Sequence, residues 1–484
     1  MSSHPILSCE ESLAFEQKLL GGDPEKEWDA MNQVGQKLAH QVLLDFNEFR
    51  PFPRDPQILV LAGKGHNGGD ALLAAHQLLK ARPRGQATVL PADDPKNFKP
   101  NTKRAFDALD AEKNCKILGI GDIPEQQFDI SIDGLLGMQF RPPFRAPLDI
   151  LVPTLNQSVK IGYRAAVDLP SGLGDESATE PLRADFTYAT GVAKAPLFHK
   201  DALRWTGRIR YIDIGFFEDS KPDTENPVEI LTESVLDPLR KLRHPACDKR
   251  THGHLFLLGG SRNMPGALLM SVRAALRSGV GLVTAFAPES VAAQFAAAAP
   301  EAMWVAWPET PDGGLSLEGQ HLLRERISRA SALAMGPGMG AEHETQVMMQ
   351  EILKETQLPV VLDADALQPD IVTELQGPAV LTPHLGEMAR ISGTPAEAIT
   401  PESVHADMKS NDFHHTVLLK GPLTWITDRK RLYVSPFGSP VLAKGGSGDL
   451  LTGLLGGLLA QGRKPFDAAS MAAVWHGQTS EYLA

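Results

Sequence analysis

Short apolar runs recur along the chain, each closed by a turn rich in glycine or proline and followed by a stretch of helical periodicity. In the first half the runs are 58–62, 129–133, 165–168 and 208–214. In the second half they are 254–258, 282–287, 332–335, 360–363, 379–382 and 416–420. Runs that are continuously apolar, rather than alternating, belong to strands buried on both faces. The pattern therefore predicts largely parallel sheets with helices on each side, an α/β fold. Helical patterns follow at 71–79, 268–278 and 450–459. The rhythm breaks at 216–227 (FFEDSKPDTENP), which is acidic, carries Pro222 and Pro227, and has little apolar periodicity after Phe217. It reads as a linker between an α/β domain at 1–220 and a second at 228–484.

Bulk properties narrow the function without choosing it. The 484 residues are enough for more than one domain, and 42% hydrophobic with 22% charged content is ordinary for a globular protein. A net charge of −12 without a long Lys/Arg run argues against a nucleic-acid surface. No apolar stretch is long enough to span a bilayer, and the start MSSHP lacks the basic and apolar parts of a signal peptide. Cys9, Cys115 and Cys247 are far apart and odd in number, which fits a reducing compartment with no disulfide framework or zinc site. A cytoplasmic homo-oligomer is expected, with neither nucleic acid nor membrane as a partner.

Chemistry enters through the loops. Gly445-Gly446-Ser447-Gly448-Asp449 stands before the apolar stretch 450–459. Its backbone N–H groups and the positive end of the helix dipole would favour an anion such as phosphate. Asp449 is then placed to take a proton from a neighbouring hydroxyl, or it is an ordinary helix cap. Five more loops of this kind follow predicted strands: Gly259-Gly260-Ser261, Gly336-Pro337-Gly338-Met339-Gly340, Asp363-Ala364-Asp365, Thr382-Pro383-His384 and Lys420-Gly421. Six loops at strand carboxyl ends predict one shared crevice.

In the first half, Gly63, Gly65 and Gly68 satisfy G-x-G-x-x-G between a strand and a helix. The acidic residue that should end the next strand is missing, because the sequence there is Ala87-Thr88-Val89-Leu90-Pro91. A phosphate-binding loop is expected, and a hydride-transfer site is not established. Asp133 and Asp168 end two further strands, as cleft residues or as turn caps. Asn67, Asp133 and Ser171 offer oxygens suited to a hard cation.

The loop 63–70, the segment from Asp133 to Gly137 and Val167-Asp168-Leu169-Pro170-Ser171-Gly172 together resemble the N-terminal NAD(P)HX epimerase domain of the YjeF family, over about residues 8 to 215. That resemblance implies a Rossmann-like three-layer α/β sandwich. It implies K+ held by Asn67, Asp133 and Ser171, and substrate at His66, Asn67, Gly68, Gly69, Asp70, Gly137, Met138, Gln139, Phe140 and Arg141. Acid–base work falls to Asp168, and Lys194 matches a lysine of the same family. The chain departs from the family at His66, at Met138-Gln139-Phe140 and at Asn32.

The order of loops in the second half resembles the ribokinase-like superfamily, and within it the ADP-dependent NAD(P)HX dehydratase domain of the YjeF family, from about Lys249 to Thr479. Carried over, Ala267, Gly338 and His384 meet the hydrated nicotinamide nucleotide. Lys420, Gly421, Gly445, Gly446, Ser447 and Gly448 meet ADP or ATP as co-substrate, with Mg2+ as its accompanying ion. Asp449 acts at the substrate hydroxyl. Relatives continue past His476-Gly477, so a further terminal helix is expected beyond this chain. The activity implied is repair of NAD(P)H that has added water across C5–C6 of its ring, by epimerisation and then dehydration driven by ADP. Three other readings use the same loops: a small-molecule kinase, a first domain decayed to a binding module, and a conventional dehydrogenase.

Overall fold

The computed structural model describes residues 2–120, 122, 126–411 and 413–484. The chain divides into two compact units, Ser3–Asn226 and Pro227–Ala484.

In the first unit the sheet order is Cys115–Ile117, Gln86–Pro91, Gln57–Ala62, Phe128–Gly134, Ile161–Val167, Phe186–Thr190 and Arg208–Ile212, and every pairing is parallel. The continuous apolar run at 58–62 has a direct physical cause. Ile58, Val60 and Ala62 pack with Leu38 and Val42 of helix Pro24–Phe49 and with Leu72 of helix His66–Ala81. Leu59 and Leu61 point the other way, into Leu151 and Leu155 of helix Leu148–Gln157. Alternation along the strand thus serves two apolar faces, and the unit is a three-layer sandwich. From Gln57–Ala62 the chain moves outward to Cys115–Ile117, then returns to the other side at Phe128–Gly134. The crevice at the carboxyl ends of those two central strands is the switch point where such sheets bind ligands. A short strand, Ser3–Leu7, pairs in parallel with Ala193–Lys194.

The second unit repeats the logic. Its strand order is Met303–Trp307, Leu282–Pro288, His254–Leu258, Ala332–Met335, Val360–Leu362, Ala379–Leu381, Thr416–Leu419, Thr424–Thr427, Leu432–Ser435 and Val228–Leu231. The first seven are parallel, an antiparallel hairpin follows, and Val228–Leu231 runs parallel to Leu432–Ser435. Leu255 and Leu257 face Val272 and Leu455 on one side, while Phe256 and Leu258 face Met348 and Ile352 on the other. Here the switch point lies between His254–Leu258 and Ala332–Met335.

Two expectations change. The segment 216–227 is not linker throughout: Phe217 is fully buried and stacks on Phe15 at 5.3 Å. Its aromatic start belongs to the first unit's core, and only its polar remainder leads to the boundary at Asn226. The Gly445–Asp449 loop does not directly follow a strand, because a 3-10 turn at Pro440–Leu442 intervenes after Leu432–Ser435. Two antiparallel steps make Leu432–Ser435 parallel to Thr416–Leu419, so the connection still starts at the edge shared by the other loops.

Candidate active sites

Helix Ser447–Ala460 opens with Gly446 as its N-cap, at φ 91. Only glycine adopts that backbone without strain. Asp449 therefore lies in the first turn and is not the cap, and among the described residues none hydrogen-bonds its carboxylate. Among the described residues none accepts from the Gly448 and Asp449 N–H groups, which are left for a ligand. The Ser447 hydroxyl donates to Leu442 O at 2.8 Å and its backbone N–H to Lys444 O at 3.5 Å, so Ser447 fastens the loop. Close packing fixes the helix: a Cβ at Gly453 would overlap the Ser271 carbonyl oxygen, and Ser271 Oγ donates to Asp449 O at 2.9 Å.

Beside this turn lies a charged cluster. Lys420 Nζ, at the end of Thr416–Leu419, donates to Asp363 Oδ1 at 2.8 Å and stands 3.6 Å from Glu387 Oε2. Glu387 accepts from His384 N at 2.8 Å, and His384 Nδ1 accepts from Glu387 N at 3.1 Å, a reciprocal cap on helix Leu385–Ser392. The His384 ring itself stays largely exposed. Gly448 lies next to both Lys420 and Asp363, and Gly338, at φ 65, lies against Ala267. Gly421 continues the strand end from Lys420. Burial above all, then the Asp363 carboxylate, raises the Asp449 carboxyl above its ordinary value, while Lys420 pulls it down.

In the first unit, Asp133 ends Phe128–Gly134 and is buried. Its Oδ1 accepts from Ser171 Oγ at 2.6 Å and Leu135 N at 3.2 Å, and its Oδ2 from Ser171 N at 2.8 Å. Burial raises its carboxyl to about 6 against those hydrogen bonds, and among the described residues no cationic side chain pairs with it. Ser171 Oγ also accepts from Leu136 N at 2.9 Å, which leaves it one lone pair. Asn67 spends its amide N–H on Leu136 O at 2.7 Å and keeps its carbonyl oxygen.

Asp168 takes a left-handed backbone at φ 64, uncommon for a residue other than glycine. Its Oδ1 accepts from Lys194 Nζ at 2.6 Å, and Lys194, 1% exposed, also reaches Thr190 O at 3.1 Å and Glu16 Oε1 at 3.5 Å. Burial opposes the Lys194 charge, but Asp168 and Glu16 outweigh it and hold the ammonium above its usual range. Asp70 is buried, its Oδ1 has no hydrogen-bond partner among the described residues, and burial, Asp168 and Glu16 push its carboxyl well up.

The remaining residues named from the sequence fall around these centres. Gly68 backs onto the Gly63 carbonyl and Gly69 onto the Met31 side chain, so both glycines serve close backbone packing. His66 Nε2 stands 3.4 Å from Glu27 Oε2, and burial lowers the imidazole's affinity for a proton. Gly137 sits beside Asn67. Met138 and Gln139 continue that loop, Phe140 packs on Phe144 at 5.2 Å, and Arg141 bonds back to Phe140 O at 2.9 Å. Sequence reasoning gave no role to Asp363, Glu387, Thr452 or Glu16. The paired acids at 363 and 365 were the signal for the first. Nothing in the sequence marks Glu16, which lies far from the glycine loops.

Strand-end glycine turns, an anion-ready helix start and buried acid–base groups define a two-unit α/β protein of the nucleotide-handling class. One family profile, YjeF-related protein N-terminus, matches residues 28–195, and another, NAD(P)H-hydrate dehydratase, matches residues 255–484. A bifunctional NAD(P)H-hydrate repair enzyme of Moorella thermoacetica is 32% identical over 88% of this chain and 83% of its own, and one of Gloeobacter violaceus is 33% identical over 94% and 89%. The chain belongs to the family of bifunctional NAD(P)H-hydrate repair enzymes. Among solved structures, it is also similar to an ADP/ATP-dependent NAD(P)H-hydrate dehydratase of Bacillus subtilis, co-crystallised with ATP and Mg2+, at 30% identity over 50% of this chain and 84% of that one, with a TM-score of 0.42.

Proposed function

We propose that the chain repairs hydrated nicotinamide nucleotides, the first unit interconverting the R and S hydrates and the second dehydrating the S form at the expense of ADP. The observation that carries this reading is Asp449, whose carboxylate takes no hydrogen bond from the described residues, in the first turn of helix Ser447–Ala460 and beside the Lys420–Asp363 pair. Hydroxide is a poor leaving group and phosphate a good one. Asp449 takes the proton of the C6 hydroxyl as its oxygen attacks the terminal phosphorus of ADP, and the bond to AMP breaks. The N–H groups around Gly446 and Gly448, with Lys420 and Gly421, carry the charge that develops on the phosphoryl oxygens. Departure of phosphate from C6 and of a proton from C5 restores the double bond, giving NAD(P)H, AMP and phosphate. Ala267, Gly338 and His384 hold the nicotinamide nucleotide. Bound with the nucleotide, Mg2+ would supply countercharge to the phosphates.

In the first unit, Asp168 exchanges protons with the substrate, which lies along residues 66–70 and 137–141, and Lys194, 2.6 Å from its Oδ1, holds the carboxylate in place. The donor set suits potassium: a buried carboxylate at Asp133 that no described cationic side chain pairs with, the Asn67 carbonyl oxygen and the spare lone pair of Ser171. Bound there, the ion supplies a fixed positive charge beside the substrate. No described helix is long and apolar enough to cross a membrane, and all three cysteines are free, which supports a cytoplasmic setting. We take the active species to be a homo-oligomer, which light scattering tests.

Incubation of a mixed-epimer hydrate with ADP is expected to regain NADH absorbance. Asp449→Asn should abolish the regain while leaving nucleotide affinity nearly unchanged. Accumulation of a phosphorylated product without NADH, or full turnover by the variant, would overturn the reading.

A further inference from the structure

We propose that Asp363 is the positioning residue of the second unit's site: its buried carboxylate ties the Lys420 ammonium and the first turns of the Asp449 helix into one arrangement. This rests on the dehydratase reading, in which Asp449 is the base.

Asp363 is only 2% exposed and directly follows strand Val360–Leu362. Its hydrogen bonds come from three separate elements. Lys420 Nζ and Thr382 Oγ1 both donate to Oδ1 at 2.8 Å, and Thr452 Oγ1 donates to Oδ2 at 2.6 Å. Thr452 lies one turn beyond Asp449 on the same helix, three residues on, so the two side chains share a face. A buried carboxylate persists where it is both paired and hydrogen-bonded, and here all the partners converge from the crevice side. The backbone holds it equally firmly. Asp363 N donates to Met335 O at 3.2 Å, a Cβ at Gly336 would overlap the Asp363 carbonyl oxygen, and Ala364 follows at φ 49. A left-handed alanine survives only where its surroundings fix it.

The arrangement has a chemical consequence. The charged groups facing Asp449 are Asp363, Asp365 and Lys420, with Glu387 behind Lys420. The Asp363 charge makes Asp449 the stronger proton acceptor, and the clamp keeps Lys420 from neutralising Asp449 by direct contact.

Two variants of the full chain separate the clamp from the charge. Asp363→Asn should lower kcat for NADH recovery from the S hydrate at least tenfold, with little change in KM, and move the acid limb of the rate profile to lower pH. Thr452→Val should lower kcat and leave that limb in place. A residue that only supported the fold would lower Tm without moving the limb, and that result would overturn the inference. So would unchanged kcat in Thr452→Val, even where Asp363→Asn does not fold. Carbon-13 NMR of aspartate-labelled protein, with the Asp449 signal assigned by its loss in Asp449→Asn, reads the same effect without turnover. Asp449 should titrate at lower pH in Asp363→Asn, and an unmoved midpoint overturns the inference. Absence of NADH recovery by the unaltered chain would instead count against the dehydratase reading alone.

Discussion

Asp133, Asp168 and Asp449 all follow apolar runs or glycine turns in the sequence, yet their surroundings set them different tasks. Asp133 receives only neutral donors, Asp168 is paired with a buried lysine, and Asp449 has no partner among the described residues. For Asp449, burial and then Asp363 raise the carboxyl, so the base form is lost at a higher pH than for an exposed aspartate. The rate of NADH recovery should therefore decline on the acid side earlier than an exposed aspartate would dictate, as a pH–rate profile will read. For Asp168 the sharper probe is its partner. Lys194→Met leaves a buried carboxylate with no cation and should cost about 3–5 kcal/mol in denaturant unfolding. Position at a strand end was legible for Asp133 and Asp168, and position at a helix start after a glycine turn for Asp449. The pairing of Asp168 was not, because Lys194, and Glu16 behind it, arrive from elements distant in sequence.

At the level of elements, the apolar runs located the central strands, since a strand buried on both faces leaves an unbroken hydrophobic signature. The hairpin Thr424–Thr427 and Leu432–Ser435, the strand Phe186–Thr190 and the edge strand Cys115–Ile117 escaped. They are short, contain polar or threonine positions, and owe their pairing to neighbours rather than to their own pattern. The helix after the glycine turn was legible from its apolar content, but its closeness to helix Pro265–Arg277 was not. That closeness depends on Gly453, where a side chain would meet the Ser271 carbonyl. Gly453→Ala should push the helix outward and cost about 1–3 kcal/mol, read as a lowered Tm, with a loss of NADH recovery because Asp449 moves with the helix. Gly445→Ala meets open space and should leave Tm unchanged.

Across the whole molecule, two α/β units share one substrate class, so the failure of one unit should appear as a stoichiometry. With a mixed-epimer hydrate, the unaltered chain is expected to regain all the NADH, and Asp168→Asn only the share present as the S form. Complete recovery by that variant at an undiminished rate would remove Asp168 from the epimerisation. The left-handed backbone at Asp168 gives this substitution a wider meaning. Asparagine tolerates the same conformation and still offers Lys194 an acceptor, with Glu16 remaining as its counter-charge. A lineage that no longer meets the R hydrate can therefore discard half of its chemistry by one change that selection on stability would not see. In such a lineage a well-folded first unit would be no guide to whether it still works.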